Sequence, residues 1–145
     1  MSLIRVKKLH ENAILPTYGS EDAAGADLYA CLDAPVTVAP GATAWISTGL
    51  AMEIPKGCAG LVYARSGLAC KKGLAPANKV GVIDSDYRGM ITVVLHNHGT
   101  EFQTISHGER IAQMVITPVL TPAYEACDEL TDTGRGQGGF GSTGK

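Results

Sequence analysis

Turn-forming residues interrupt this chain so often that long helices do not fit between them. The 145 residues include 18 glycines and seven prolines, and both residue types favour turns over regular structure. The tripeptides Ala39-Pro40-Gly41, Pro55-Lys56-Gly57, Asn97-His98-Gly99 and Ser106-His107-Gly108 mark individual turns. The regular elements between them must therefore be short.

Short apolar segments, several of them rich in β-branched residues, fill the intervals and predict β-strands. The predicted strands span residues 3–9, 26–30, 36–38, 43–54, 59–63, 79–83, 91–97 and 111–120. One short helix is predicted from Ser66, a candidate N-cap, to Gly73, a suitable C-terminal cap. A chain of this length forms one domain, and the pattern favours an all-β sandwich or barrel.

Charge and composition exclude several classes of protein. The formal net charge of −2 gives no bulk field that would hold nucleic acid or an anionic membrane. No apolar run approaches the roughly 18–20 residues of a membrane span, and the N-terminal order of residues is not that of a signal peptide. The cysteines contain no C-x-x-C pair, so we expect reduced thiols in a cytoplasmic protein, mostly core filler, at Cys31, Cys58, Cys70 and Cys127.

Several apparent motifs fail on structural grounds. Residues 134–139 match G-x-G-x-x-G and residues 139–145 match G-x-x-x-x-G-K, but both phosphate loops require a following helix and the sequence ends at Lys145. The segment from Asp84 begins like a calcium loop, but Arg88 and Leu95 occupy positions where that loop needs oxygen ligands. Ser66 lies outside a G-x-S-x-G elbow, which argues against a serine hydrolase.

His96 and His98 are two residues apart, so they share one face of a predicted strand. Because no third ligand is in view, the sequence favours plain hairpin surface over a metal site.

Three polar segments contain candidate functional residues, and two of them have two interpretations each. Arg65-Ser66-Gly67 is either an anion site at a helix start or ordinary capping. Asp84 follows an apolar run, where partial desolvation would suit a general base, but it also suits a hairpin turn. Asp27 is a lone carboxylate at a strand start, where turn chemistry is the ordinary role.

Strand alternation puts Gln113 and Ile111 on one face of the predicted strand, and puts Arg110 and Ala112 on the other face. A glutamine on an apolar face indicates a pocket wall. For Arg110 a structural ion pair is expected.

The segment 134–145 is half glycine, which makes ordering entropically costly. It is either a frayed terminus or an arm that orders over a ligand. In the second case Arg135 would meet an anion and Phe140 a flat ring.

Five segments, taken in order, resemble the motifs of the trimeric dUTPases. They are AGADLYA at 24–30, ARSGLA at 64–69, GVIDSDYRG at 81–89, GERIAQM at 108–114 and RGQGGFGSTG at 135–144. The resemblance implies a jelly-roll-like distorted β-barrel that forms a homotrimer, with each site drawing on more than one subunit. It also implies a barrel domain over 1–133 and a flexible arm over 134–145 that closes the site. The implied activity is Mg²⁺-dependent hydrolysis of dUTP to dUMP and pyrophosphate, which limits uracil in DNA and supplies dUMP for dTMP synthesis.

The resemblance also implies residue roles. Asp84 would activate the water that attacks the α-phosphorus, and Asp27 would hold Mg²⁺ through water molecules. The phosphates would meet Arg65, Ser66, Gly67, Gln113 and Arg135. Uracil would be read by Asn78 and by the hairpin backbone, which includes Val82 and Ile83. Tyr87 would lie against the deoxyribose, and Phe140, followed by Gly141, would cover the base.

Two positions depart from the family pattern. Lys79 replaces a common glycine, so a positive φ there would carry strain, and Ala64 replaces a common proline. Two alternatives remain: a dCTP deaminase of the same fold, which needs a catalytic glutamate near the base, and a nucleotide-binding trimer without activity.

Overall fold

Twelve short strands and one helix make up the regular structure of residues 3–141, which are the residues that this computed structural model describes. The first six strands are β1 (Arg5–Lys8), β2 (Thr17–Tyr18), β3 (Ala26–Tyr29), β4 (Val36–Val38), β5 (Thr43–Ser47) and β6 (Leu50–Glu53). They are followed by β7 (Cys58–Tyr63), helix α1 (Ser66–Lys72), β8 (Leu74–Pro76), β9 (Gly81–Ile83), β10 (Thr92–Asn97), β11 (Gln103–Ile105) and β12 (Arg110–Pro118).

The strands form antiparallel sheets around one core. The largest sheet has the order β2-β3-β12-β7-β9, and a three-stranded sheet has the order β5-β10-β8. Two ribbons, β1-β6 and β4-β11, complete the arrangement. The predicted all-β class with one short helix is confirmed.

The core is built from aliphatic side chains that both sheets contribute. Leu28 and Ile111 come from the five-stranded sheet, and Ile46 and Leu95 from the three-stranded sheet; none is more than 1% exposed. Each such side chain stabilises the fold by about 1.5–3 kcal/mol relative to exposure. Between the sheets, the buried Asn97 amide donates to the carbonyls of Val38 and Glu101.

The predicted long strand over 43–54 is two strands in the structure. It breaks at Thr48-Gly49, and Gly49 has a φ of +66°, a conformation that costs glycine nothing. A Cβ at position 49 would lie 2.9 Å from Cys31 Sγ, so this turn also requires a residue that has no side chain. Three strands of two or three residues, β2, β8 and β11, were absent from the prediction. The equally short β4 was predicted because all three of its residues are β-branched, whereas β2 has only two residues and β8 ends in a proline.

The helix begins one residue away from the expected cap. Arg65, in extended conformation, is the N-cap, and Ser66 is the first helical residue. Gly73 at the other end has a φ of +66° and donates its N–H to the last turn, as predicted. Within residues 3–141, no helix is long and apolar enough to cross a membrane.

The cysteines are mostly not core residues, so that expectation is wrong. Cys31 is buried, and its burial and the charge of Asp33 raise the pKa of the thiol. Cys58 is half-buried, and Cys70 and Cys127 are exposed.

Candidate active site

A buried carboxylate bridges two arginines at one end of the five-stranded sheet. Asp27, on β3, is 8% exposed. Its Oδ1 lies 2.7 Å from Arg65 Nε, and its Oδ2 lies 3.3 Å from Arg110 Nη1. The ion pair expected of Arg110 is therefore present. One carboxylate neutralises only one of the two guanidiniums, so the trio keeps a net positive charge.

A bulge in β12 decides which side chains join this cluster. The pairing of β12 with β3 shifts between Arg110 and Ala112, and such a bulge breaks the two-residue alternation. Ile111 turns into the core, 1% exposed, whereas Gln113 stands opposite Asp27. The predicted pairing of Gln113 with Ile111 on one face is wrong, although Gln113 does leave the core.

The position of Gln113 depends on two neighbours, Ala64 and Gly25, to which the sequence analysis gave no role in placing it. Its Nε2 donates to the carbonyl of Ala64 at 2.9 Å. Its Oε1 lies 2.7 Å from where a Cβ of Gly25 would stand. Gly25 therefore has to lack a side chain for Gln113 to lie across it.

A cavity of about 440 Å³ opens beside this cluster, and its walls are strongly cationic. Arg65, Arg110, Lys71 and Lys72 line it, against the single carboxylate of Glu109. Gly67, at the start of α1, also lines it. The arrangement suits a polyanion with several negative groups. The two lysines lie in the last turn of α1.

The predicted base-reading hairpin is not a paired hairpin. β8 is the edge strand of the three-stranded sheet and β9 is the edge strand of the five-stranded sheet, so the turn between them crosses a seam. Asn78 in this turn lines a cavity of about 100 Å³ together with Gly81 and Val82. Two edge strands can present backbone groups to a ligand between them.

Lys79 takes the left-handed conformation in the same turn. Its φ is +66°, which is strained for any residue with a Cβ. Its N–H donates to the carbonyl of Pro76 at 3.0 Å, which closes the turn. The backbone thus adopts the shape that a glycine would give, and the lysine carries the strain.

Asp84 follows β9 at the surface of a second cavity, of about 240 Å³. Its side chain is exposed in the protomer, so the expected partial desolvation is not present in a single chain. Trp45, 75% exposed, Val82 and Ile83 form the apolar wall of this cavity.

Tyr87 also lines this cavity, and its ring position requires the glycine two residues later. The Tyr87 hydroxyl donates to the carbonyl of Met90 at 3.1 Å. A Cβ at Gly89 would come within 2.6 Å of the Tyr87 Cζ atom. Gly89 thus leaves room for the Tyr87 ring, whereas the sequence analysis quoted it only as the end of a motif.

The structure brings the candidate residues into two groups rather than one. The arginine-lined cavity and the Asp84 cavity share no lining residue. They are linked through β7, which pairs with β12 on one side and β9 on the other.

The arm residues stand apart from both groups. Arg135 Nε donates to the carbonyl of Gly138 within its own turn. Phe140 is fully exposed, and Gly141 has a φ of +89°. Residues 142–145, which end the predicted arm, lie outside the described residues.

Few protein side chains are placed to bind a metal ion directly. Among residues 3–141, no group of three or more His, Cys, Asp or Glu side chains is placed to hold one. Asp27 already accepts from two arginines, but a carboxylate has about four acceptor positions. Its chemistry fits hydrogen bonds to the waters of a hydrated Mg²⁺, which keeps much of its shell and prefers oxygen donors.

Comparison with known proteins shows which family the chain resembles. A family model described as dUTPase matches residues 11–144. A deoxyuridine 5'-triphosphate nucleotidohydrolase of Syntrophotalea carbinolica is 50% identical over 141 residues, covering 97% of this chain and 96% of that protein. The protein of the same name from Desulfitobacterium hafniense is 55% identical over 131 residues, covering 90% and 87%.

Solved structures show the same fold. The dUTPase of Staphylococcus bacteriophage 80alpha with dUPNHPP superposes with a TM-score of 0.91 at 30% identity, over the full length of both chains. A mutant dUTPase from phage phi11 of S. aureus, described as revealing the coordination of a structural Mg(II) ion, gives a TM-score of 0.80 at 27% identity, covering 88% of this chain and 98% of that one. The barrel expected from the sequence resemblance is confirmed by these likenesses.

Proposed function

The chain belongs to the dUTPase family, and from this premise we propose that it hydrolyses dUTP to dUMP and pyrophosphate. The observation that carries the proposal is a pair of cavities that strands of the five-stranded sheet help to line. One is cationic and suits a triphosphate, and the other is apolar with a single carboxylate at its wall.

The phosphates are held by the cationic cavity. Arg65 is fixed by Asp27 and offers its remaining N–H groups to phosphate oxygens. Ser66 and Gly67 add free amides of the first helical turn, and Gln113 adds its side-chain amide. Fixed donors of this kind cost little reorganisation when charge shifts in the transition state.

Asp84 acts as the general base. Its carboxylate takes a proton from a water molecule, and that water attacks the α-phosphorus while the bond to the bridging oxygen breaks and pyrophosphate leaves. Positioning and charge neutralisation supply most of the rate in phosphoryl transfer. Asp84 is exposed in one protomer, so substrate and neighbouring subunits must supply its drier surroundings.

The uracil base lies in the seam between β8 and β9. Asn78 and the backbone of Val82 and Ile83 pair with its edge, in the manner of a complementary base. The small cavity at this seam, about 100 Å³, disfavours a 5-methyl group. Tyr87 packs on the deoxyribose and excludes a 2'-hydroxyl.

Mg²⁺ is the proposed cofactor, supported by the outer-sphere fit at Asp27. When bound, the ion would neutralise charge on the phosphate oxygens. Asp27 would hold the waters of the ion while it keeps Arg65 and Arg110 in place.

The segment 134–145 closes the site, and residues 1–133 form the barrel domain. Arg135 would pair with the γ-phosphate, and Phe140 would stack on uracil with Gly141 as the adjoining joint. Within the described part of the chain, residues 3–141, the arm side chains remain available to substrate: Arg135 bonds within its own turn and Phe140 is exposed. Closure would exclude water from the reacting groups.

The enzyme forms a homotrimer whose subunits share sites. Two observations support this: the site residues fall into two separate groups in one protomer, and the segment after β12 exposes large apolar side chains. Leu120, Tyr124 and Leu130 are 94%, 96% and 86% exposed, and such exposure marks an interaction surface. The mass of the purified protein by light scattering tests the trimer.

The cytoplasm is the proposed location, which the four unpaired cysteines support.

A pyrophosphate-release assay over dUTP and the four canonical deoxynucleotides tests the activity. We expect strong preference for dUTP. Release of ammonia from dCTP would instead identify a deaminase, and binding of dUTP without turnover would identify a binding protein.

Substitution of the proposed general base, Asp84, gives the second test. Asp84→Asn should bind dUTP normally and lose turnover by a factor on the order of 10² or more. Asp86→Asn, in the same exposed turn, is the matched control and should keep its activity. Equal turnover in both variants would contradict the role of Asp84.

A further inference from the structure

The two histidines at the end of β10 are held edge to face by the surrounding fold. The ring centroids of His96 and His98 lie 4.5 Å apart, with the ring planes at 67° to each other. Neither residue lines the cavities that carry the proposed hydrolysis.

This spacing is compatible with two rings that bind one metal ion. Imidazole nitrogens bind such ions at about 2.0–2.1 Å. Two imidazoles at neighbouring positions of a square or octahedral ion then have ring centres about 4.5 Å apart, and about 5 Å apart on a tetrahedral ion. The distance between the two ring centres therefore fits one shared ion.

The fold fixes the ring of His96. Its Nδ1 lies 2.9 Å from Thr43 Oγ1 on the neighbouring strand, which leaves Nε2 for a ligand. A hydrogen bond from the second ring nitrogen is the usual support of a metal-binding histidine.

The backbone between the rings is also anchored. Asn97, fully buried, points the opposite way and donates to the carbonyls of Val38 and Glu101. The N–H of His98 donates to the carbonyl of Gly73 at 2.8 Å. The tripeptide is thus held at both its centre and its end, which lowers the entropic cost of binding an ion.

We propose that His96 and His98 form a site for a divalent transition-metal ion such as Ni²⁺, Cu²⁺ or Zn²⁺, with one ring nitrogen from each and water at the other positions. Imidazole suits these ions, whereas Mg²⁺ prefers oxygen. The site is therefore separate from the proposed Mg²⁺ chemistry and does not depend on it. The sequence analysis interpreted the pair as plain hairpin surface because it lacked a third ligand, and among residues 3–141 no third His, Cys, Asp or Glu completes such a group; the proposal therefore rests on two protein ligands.

The electrostatic surroundings set a limit on affinity. The positive charge of Lys79, which acts on the His98 ring, repels a dication. With two protein ligands and a nearby cation, the site should bind weakly, and removal of the lysine charge should strengthen it.

Titration calorimetry with Ni²⁺ and Zn²⁺ on the untagged full-length protein tests the site. Wild type should bind one ion per protomer, and Mg²⁺ alone should not bind there. His98→Asn should weaken binding at least tenfold, and Lys79→Gln should tighten it severalfold. His10→Asn, which changes a histidine on another part of the chain, is the matched control and should bind as wild type does. Equal affinity in wild type and His98→Asn would overturn the proposal.

Electron paramagnetic resonance of the Cu²⁺-loaded wild type counts ligands without relying on any variant. Two nitrogens per ion are expected. A spectrum with one nitrogen or none would overturn the proposal, and so would one with more than two, since the ligands would then come from elsewhere. Far-ultraviolet melting curves establish that each variant is folded before its affinity is compared.

Discussion

Replacement of Gly25 by alanine is expected to disable the site through a residue that it touches rather than through its own chemistry. The new Cβ would stand 2.7 Å from Gln113 Oε1 and 3.3 Å from Gln113 Cβ. Because the added Cβ and the glutamine side chain cannot occupy the same space, the glutamine side chain must rotate away. Its hydrogen bond to the Ala64 carbonyl, now 2.9 Å, would then be lost.

The size of the effect follows from those two changes. A lost hydrogen bond costs about 0.5–1.5 kcal/mol, and an off-rotamer side chain costs about 0.5–1.5 kcal/mol. We therefore expect the free energy of unfolding to fall by about 1–3 kcal/mol. For a chain of this size that lowers the melting temperature by roughly 3–10 °C. If Gln113 binds the phosphates, kcat/KM for dUTP should fall by about tenfold or more.

A double-mutant cycle tests the cause. In a Gln113→Ala background, Gly25→Ala should have little further effect on kcat/KM, because the displaced group is already absent. Gly19→Ala, where a Cβ would meet nothing within 4 Å, is the matched control and should leave melting and activity unchanged. If the losses from Gly25→Ala and Gln113→Ala simply add, the steric argument is refuted.

Three further outcomes are expected. Gly89→Ala should displace the Tyr87 ring and lower the preference for dUTP over UTP on the order of tenfold, measured as a ratio of kcat/KM values; an unchanged ratio would contradict the contact. Lys79→Gly should raise the free energy of unfolding by about 0.5–1 kcal/mol in urea titration, because the left-handed backbone is strained for lysine; a destabilised variant would show that the turn carries no strain. Deletion of residues 134–145 should leave the melting temperature within a few degrees and abolish most dUTP turnover, whereas unfolding of the truncated chain would make the arm structural.

The sequence predicted the strands that have a clear compositional pattern. The turn signals and β-branched segments located most strands, including the three-residue β4, and Gly73 located the helix end. They could not locate β2, β8 or β11, whose two or three residues are not a β-branched run and do not stand out from loops.

The arrangement within the candidate site was harder to predict because it depends on contacts distant in sequence. Gln113 faces Asp27 only because the bulge in β12 breaks alternation, and no local pattern announces a bulge. The roles of Gly25 and Gly89 are likewise invisible in one sequence, since the atoms that exclude a Cβ are known only from the folded chain. The positive φ of Lys79 shows that backbone pairing in a turn can override the conformational preference of the residue that occupies it.

The crossing of the chain from β8 to β9, between the edges of two different sheets, has a consequence for how this protein tolerates change. A nucleobase lodged there would be recognised mainly by peptide groups, which every amino acid carries alike. Drift in the side chains of the loop, such as a lysine in place of glycine, can then accumulate while discrimination between pyrimidines persists. Mutations that slide one sheet over the other would be far more damaging, even when they lie deep in the interior and touch no nucleotide.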